Sequence, residues 1–574
     1  MSPNPLPIQT IAGQPLNDEQ TSYLTGFFAG AAARGLRFGD IEAKPVAEPA
    51  GALDDLIFEE RVKRELHPLD AYQQILDNAV RDRAPDKEET FRFKWNGLFF
   101  LTPTREAFMA RLRIPGGMLR SFQLREIARV AAELTSGYVQ ITTRANFQIR
   151  LIAPKDAPEV LRRIQSVGLH TRGAGADNIR NLTANPTAGI DPCEFIDVLP
   201  LCQELAQIIV NDRSFYDLPR KFNIAYDGGG LIGTVEDTND IGARAVMVDG
   251  EVRFRIALGG ATGHQAFARD LGVVVKPEDL NRVLVALVRV FIAHGNRTDR
   301  KRARLKHLLE TWTLEQYLAE TEKQLGWTLE RRALDASGEP RDAGLAHSHI
   351  GAYPQKQRGL NYVGVALPVG QITPRQMQRV AELADLYGSG EIRLTVWQNF
   401  ILPNVPDAFV ETVSRALRAI GLSTEASHLR GGLIACTGNR YCKFAQTDTK
   451  GHAAALAEAL ERKLTLDQPL NIHLTGCPHS CAQHYMGDIG LLGTRVKVSG
   501  ESVEGYHVFV GGGFGAHQAV GRQVFTGVPF ADLSVTLERM LRGFLRRREK
   551  RETFQQFTQR HDLNTLQAIF SNDE

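Results

Sequence analysis

The chain has 574 residues, 43% of them apolar and 23% charged, with a formal net charge of +2. This is ordinary globular composition with enough length for two to four domains, and the near balance of charge gives no signal for nucleic acid. No apolar run approaches ~18 residues, so no membrane span is predicted, and six cysteines are too few for a disulfide scaffold.

The opening Met-Ser-Pro-Asn-Pro has neither the basic start nor the apolar core of a secretory leader, so a cytoplasmic protein is expected. Residues 1–90 read as a helical segment that wraps the first half of the molecule. Within it, a helix is predicted from Leu16 to Leu36, capped by Asn17, and a linker from Glu42 to Gly51.

Beyond residue 90 the chain repeats itself. Pro115-Gly-Gly117 recurs as Pro368-Val-Gly370, and Gly137-Tyr-Val-Gln-Ile-Thr142 as Gly390-Glu-Ile-Arg-Leu-Thr395. Asn146-Phe147 recurs as Asn399-Phe400, and Gly168-Leu169 as Gly421-Leu422, always 253 residues on. A constant offset through four matches implies duplication, hence two related halves packed about a pseudo-two-fold axis. Each copy reads strand, helix, strand, helix: strands over 107–114 and 138–144, a helix from Leu124 to Leu134, and another from Pro158 or Phe409.

The first half carries clustered cations. Arg111 and Arg113 alternate with apolar residues on a predicted strand and so share a face. Arg144, Arg180, Arg220 and Lys221 follow, and the run Asn296–Lys306 is strongly basic. Each could be a solvated face or a surface ion pair. Asp227-Gly-Gly-Gly230 reads as a turn. Gly511-Gly-Gly-Phe-Gly515 follows a strand, Tyr506–Val510, but has no Rossmann unit around it and reads as a turn or a loop beside the site.

The second half carries the cysteines. Cys436-Thr-Gly-Asn-Arg-Tyr-Cys442 and Cys477-Pro-His-Ser-Cys481 form two close pairs. Four soft ligands so arranged suit an iron–sulfur cluster or zinc, or are inert buried thiols; zinc pairs prefer spacings of two to four, which only the second pair meets. Adding 253 to Thr183 gives Cys436, so the first half lacks the metal ligand where the second has it. Cys193 and Cys202 read as reduced structural thiols. Seven basic residues between Arg539 and Arg551, interleaved with Leu541, Phe544 and Leu545, read as an amphipathic C-terminal helix with a wet basic face, or as a surface on which a donor protein docks.

The flanks of the cysteines, Cys-Thr-Gly-Asn-x-x-Cys and Gly-Cys-Pro-x-x-Cys, resemble the signature of the sirohaem nitrite and sulfite reductases, with His479 where most members have Asn. The resemblance extends over roughly residues 90–560. It implies an α+β fold of two ferredoxin-like half-domains, 91–175 and 346–427, each followed by a larger reductase domain, 176–345 and 428–574. It implies that Cys436, Cys442, Cys477 and Cys481 hold a [4Fe–4S] cluster, with Cys481 bridging to sirohaem. It implies that Arg111, Arg180, Lys221 and Asn223 form the substrate pocket, that Thr142, Thr143, Arg144 and Gln148 lie on the sirohaem-contacting strand, and that Arg220 and Lys306 bind the cofactor, the run ending at Lys306 reading as partly a carboxylate clamp and partly a solvated basic helix. Arginine forks suit the sirohaem carboxylates, and cations near the iron would hold a small anion.

Members that reduce sulfite usually have Lys-x-Lys at the position of Lys221-Phe-Asn223, whereas nitrite reducers have Lys-x-Asn. One cation fewer matches a monoanion. The expectation is therefore six-electron reduction of nitrite to ammonium, with sulfite reduction to sulfide as the alternative. A sensor or oxygen-dependent corrin enzyme sharing the repeat is a third reading, against which the retained cations argue. With no flavin or nicotinamide domain in the chain, electrons are expected from a ferredoxin or similar small protein, and the enzyme is expected to be a monomer without nucleic-acid or membrane partners.

Overall fold

The computed structural model describes Thr10, Ile11, Gln14–Leu16, Thr21, and residues 53–101, 106–332, 349–425 and 427–571. The helix predicted from Leu16 and the linker from Glu42 lie outside these residues, save for Leu16 and Thr21. Residues 1–56 form one unit, in which Thr10–Ile11 pairs antiparallel with Gln14–Pro15. Residues 57–574 form the other.

This second unit is built on four five-stranded sheets, and the duplication organises all of them. Two are the small sheets of the half-domains. In the first, Leu98–Phe100, Phe108–Arg111, Val139–Ile141 and Phe147–Ile152 pair antiparallel; in the second, Gly351–Pro354, Leu360–Val365, Glu391–Leu394 and Phe400–Pro406 do the same. Each sheet is completed by a strand from the other half. Met118–Arg120 pairs with Glu391–Leu394, and its repeat Gln371–Ile372 pairs with Val139–Ile141. The registers match under the 253-residue offset, since Met118 faces Arg393 and Gln371 faces Gln140.

The exchange needs glycine at one point in each copy. Gly117 has φ 74, and a Cβ there would lie 2.5 Å from the Leu394 carbonyl oxygen; its repeat Gly370, also φ 74, would meet that of Ile141 at 2.7 Å. Only a residue without a side chain lets the strand cross so close to the partner sheet.

Behind the exchanged strands run the helices Ser121–Leu134 and Pro374–Tyr387, again one repeat apart and packed on each other. The second starts with Pro374 at its first position and a reciprocal cap between Thr373 and Gln376. Its buried face is Met377, Val380, Ala381 and Ala384, the i, i+3, i+4 spacing of an amphipathic helix. Gln378 donates to the carbonyl of its own repeat mate Arg125 at 3.4 Å, so the pseudo-two-fold passes through this helix pair. One apolar core runs continuously through both small sheets and both helices.

The two large sheets begin with parallel strands and continue antiparallel. Ile224–Asp227 lies parallel to Ile241–Val248, followed by Glu251–Leu258, Arg269–Val275 and Glu330–Arg331. In the second half, Leu433–Ala435, Ile472–Thr475 and Ile489–Val498 run parallel, followed by Glu501–Val510 and Arg522–Pro529. Each has its own apolar core under flanking helices. Among the described residues no helix is long and apolar enough to cross a membrane.

Three local expectations change. The helix begins at Ser121, because Gln123 accepts from the Arg120 amide at 2.8 Å and extends the first turn. The strand expected over 138–144 stops at Ile141, and residues 142–146 form a tight turn closed by the Thr142 amide on the Asn146 carbonyl at 3.0 Å. The basic run is not on a terminal helix: it spans the end of helix Phe530–Arg547 and the connection onward, and two further helices follow.

Candidate active site

Strand Leu433–Ala435 delivers Cys436, and its parallel neighbour Ile472–Thr475 delivers Cys477 and Cys481. The carboxyl ends of adjacent parallel strands open on the same edge, which is where α/β sheets place their sites. The Cys436 amide still donates to Leu474 at 3.0 Å, holding the two exits together. The Gly476 amide donates to Cys436 Sγ at 3.2 Å, Thr449 Oγ1 lies 3.5 Å from it, and His479 Nδ1 lies 3.5 Å from Cys477 Sγ.

The four thiols sense one another. Burial pushes Cys477 up to about 12, and Cys481, Cys442 and Cys436 add to the rise. Burial and Cys436 raise Cys481, opposed by Lys221 and Arg111. Deprotonating such a set requires a bound cation in its midst. Among the described residues no three His, Cys, Asp or Glu side chains converge on a single ion position. Cys202 is sealed in the core of the first large domain and pushed up to about 12 by burial, while Cys193 is exposed elsewhere.

Facing the thiols stand the first-half cations. Arg111, at the end of its strand, donates to the Ala174 carbonyl at 3.3 Å and lies over the Phe99 ring at 4.4 Å. Arg180 donates to the same carbonyl at 3.2 Å and to Ala176 at 2.8 Å, while its Nε is buried without a partner. Burial, Arg304 and Arg180 bring Lys221 down to about 7, and Cys481 opposes the fall. Asn223 is fixed by its amide on Asp240 at 2.9 Å, with its Oδ1 buried and unpartnered. Arg304 clasps Asp240 with three bonds of 3.2, 2.9 and 2.8 Å. Arg111, Arg180, Lys221 and Asn223 are half-buried and Cys481 is exposed.

The turn 142–146 meets the second half here. Thr143 Oγ1 donates to the Cys481 carbonyl at 3.2 Å. Thr142 Oγ1 bonds Asn146 Oδ1 and accepts the Arg144 amide. Arg144 spends its guanidinium on the carbonyls of Asn181 and Ile224 and on Asn239 Oδ1, so it fastens the loops behind the wall. Gln148 accepts from Gln140 at 2.9 Å and from Arg150. Arg220 lies 3.9 Å from Asp177, which Arg300 holds more closely at 2.5 Å. Lys306 pairs with Glu310 at 3.2 Å and acts on His264, which also feels Lys221.

Three residues escaped the sequence reading. Arg150 and Gln140 both donate to Thr437, beside Cys436, at 2.8 and 3.3 Å and so tie the first small sheet to the cysteine loop. Burial holds Arg150 down at about 10. Its signal was available, since Arg150 stands two residues past Gln148 on the same strand face. Lys450 lies behind Cys436, and no sequence pattern marks it. The Gly-rich loop serves packing: a Cβ on Gly512 would lie 2.6 Å from the carbonyl oxygens of Gly487 and Tyr485, and the Gly515 amide donates to Asp237 of the first half at 2.8 Å.

The residues therefore fit an anionic iron cofactor and an anionic substrate. They supply a thiol quartet, three cations in no ion pair among the described residues, and two buried polar atoms without a partner, Arg180 Nε and Asn223 Oδ1. The profile of the nitrite and sulphite reductase 4Fe-4S domain matches residues 175–329 and 430–573, and that of the nitrite/sulfite reductase ferredoxin-like half domain matches 102–167 and 353–420. The ferredoxin–nitrite reductase of Synechococcus elongatus is 38% identical over 78% of this chain and 88% of its own length. The chloroplastic enzyme of Zea mays is 34% identical over 83% and 87%, respectively. The solved structure of the Mycobacterium tuberculosis NirA protein superposes with a TM-score of 0.83 at 29% identity, over 89% of this chain and 97% of that one. Duplicated half-domains, the cysteine quartet and these likenesses agree: the chain belongs to the nitrite and sulphite reductase family.

Proposed function

We propose that the protein is a ferredoxin-dependent nitrite reductase, which takes nitrite with six electrons and eight protons to ammonium and two waters. The observation that carries this reading is that Lys221 and Arg111 act on Cys481 of the thiol quartet, with Thr143 of the first half bonded to the Cys481 carbonyl. Cys436, Cys442, Cys477 and Cys481 would hold the [4Fe–4S] cluster, with Cys481 shared with sirohaem. Thr142, Thr143, Arg144, Gln148, Arg220 and Lys306 would line the sirohaem. Once bound, these groups would supply one-electron steps and an iron at which nitrite is reduced.

The rest of the chemistry falls to the side chains. Arg111 and Arg180 hold the anion with forked charge-assisted hydrogen bonds and stabilise charge on its oxygens as the N–O bonds weaken. Lys221, brought to about 7, can pass protons to those oxygens near neutral pH. Asn223 offers a neutral amide where a second lysine would favour a dianion. The curated relatives above carry nitrite in their names, which supports nitrite over sulfite. The electron donor would be a ferredoxin. We further propose the division at 90, 175, 345 and 427, a monomer, and a cytoplasmic location.

The test is an optical spectrum of purified protein, with nitrite and then sulfite added, alongside turnover of each anion with reduced ferredoxin. A haem-like band perturbed by nitrite, with faster nitrite turnover, is expected. A colourless zinc protein, or one that favours sulfite, would overturn the reading.

A further inference from the structure

Lys450 sits on the first turn of helix Thr449–Glu461 with 3% of its surface exposed. Its ammonium donates to the Val369 carbonyl and, at 3.1 Å, to the Ala435 carbonyl, the residue before Cys436. Thr449 bonds the Cys436 carbonyl at 2.8 Å and lies 3.5 Å from its Sγ, so the helix start is pinned against that cysteine. No carboxylate balances Lys450 among the described residues. The one opposite charge that acts on it is Cys436, while Arg150 acts against it.

A lysine buried without a carboxylate is costly, since desolvating the ammonium takes several kcal/mol that only a nearby anion returns. Two carbonyls alone do not account for the charge. A glutamine amide would satisfy both at lower desolvation cost. The thiolate quartet is the anion within reach. Burial disfavours the Lys450 charge, and Cys436 favours it.

We propose that Lys450 is a positioning residue for electron transfer, a buried counter-charge behind Cys436 that raises the reduction potential of the cluster. The proposal rests on the cluster assignment above and extends it. One electron from the donor protein adds one negative charge to the cysteine-held group, and no bond or proton changes at Lys450. In a low-dielectric interior a fixed cation stabilises the reduced form more than the oxidised one. A donor of given potential therefore loads the site more completely when Lys450 is present.

The test compares the parent enzyme with Lys450→Met and Lys450→Arg, each assayed for iron and acid-labile sulfide. Each is then titrated potentiometrically, following the electron paramagnetic resonance signal of the reduced cluster. With Lys450→Met the reduced-to-oxidised ratio at a fixed ambient potential should fall about tenfold, which is 59 mV for one electron. Lys450→Arg should stay near the parent. Failure of Lys450→Met to assemble a cluster that Lys450→Arg assembles would also support a charge requirement. An unmoved potential in Lys450→Met, equal shifts in both variants, or loss of the cluster from both would overturn the proposal. A parent without any cluster signal would overturn the cluster assignment itself.

Discussion

Arg111 and Arg180 donate to one carbonyl oxygen, that of Ala174, at 3.3 and 3.2 Å. Two guanidiniums on a single acceptor repel, and each is held below its ordinary range chiefly by burial, with Arg111 further lowering Arg180. Such a pair is stable where an anion sits between the forks. Replacing either with alanine should lower kcat/KM for nitrite by about 10²–10³-fold, the usual cost of removing one preorganised donor. Arg180→Lys should not rescue, because one ammonium cannot bond Ala174 and Ala176 and also bind the anion. Steady-state kinetics with reduced donor would check both.

Asn223 tests the choice of anion. Its amide is fixed on Asp240 and its side-chain oxygen has no protein partner. Asn223→Lys adds a cation and should move the ratio of sulfite to nitrite turnover toward sulfite by about tenfold or more, as one extra charge contact implies. A ratio unchanged by the substitution would remove Asn223 from the specificity argument.

The cysteines are not equivalent. Cys481→Ser should abolish nitrite reduction and uncouple cluster from haem, since this residue faces Lys221 and Arg111 and carries the Thr143 bond. Cys193→Ser, at an exposed position outside the quartet, should leave the spectrum and the activity intact. Iron content and the optical spectrum distinguish the two.

Acid should loosen the loop that bears Cys477 and Cys481. His473 bonds the Gln483 carbonyl at 3.1 Å and His484 bonds Ser480 at 2.9 Å. Burial pushes the two imidazoles down to about 4 and about 3. Their folded values lie below the unfolded one, so the unfolded chain binds more protons on acidification. The stability they contribute is complete above about pH 6.5 and is lost as pH falls toward 4, by roughly 3 kcal/mol for one fully buried group. Chemical denaturation at pH 7.5, 6 and 5 should show the midpoint falling, and His473→Gln should blunt the fall.

Much of the design was legible along the chain. The cysteine spacing marked the metal site because thiolates on two parallel-strand exits must be close in sequence to their strands. The constant offset marked the duplication because both copies fold by the same local rules. The lysine–asparagine pair at 221 and 223 marked the substrate question through charge alone. Arg144 shows the limit: its place in the motif was plain, but its guanidinium is committed to backbone carbonyls of loops some forty and eighty residues away.

What the sequence by itself determined, then, was local: strand and helix periods, the repeat, the ligand types and their order. Only the tertiary structure decided which groups meet. The exchange of Met118–Arg120 for Gln371–Ile372 binds the halves through strand pairing between segments some 250 residues apart. That pairing accompanies the contacts of Thr143 on Cys481 and of Arg150 on Thr437 across the halves. Such contacts arise from long-range hydrogen bonding and burial in a low-dielectric interior. Neither has a period that a linear reading can detect.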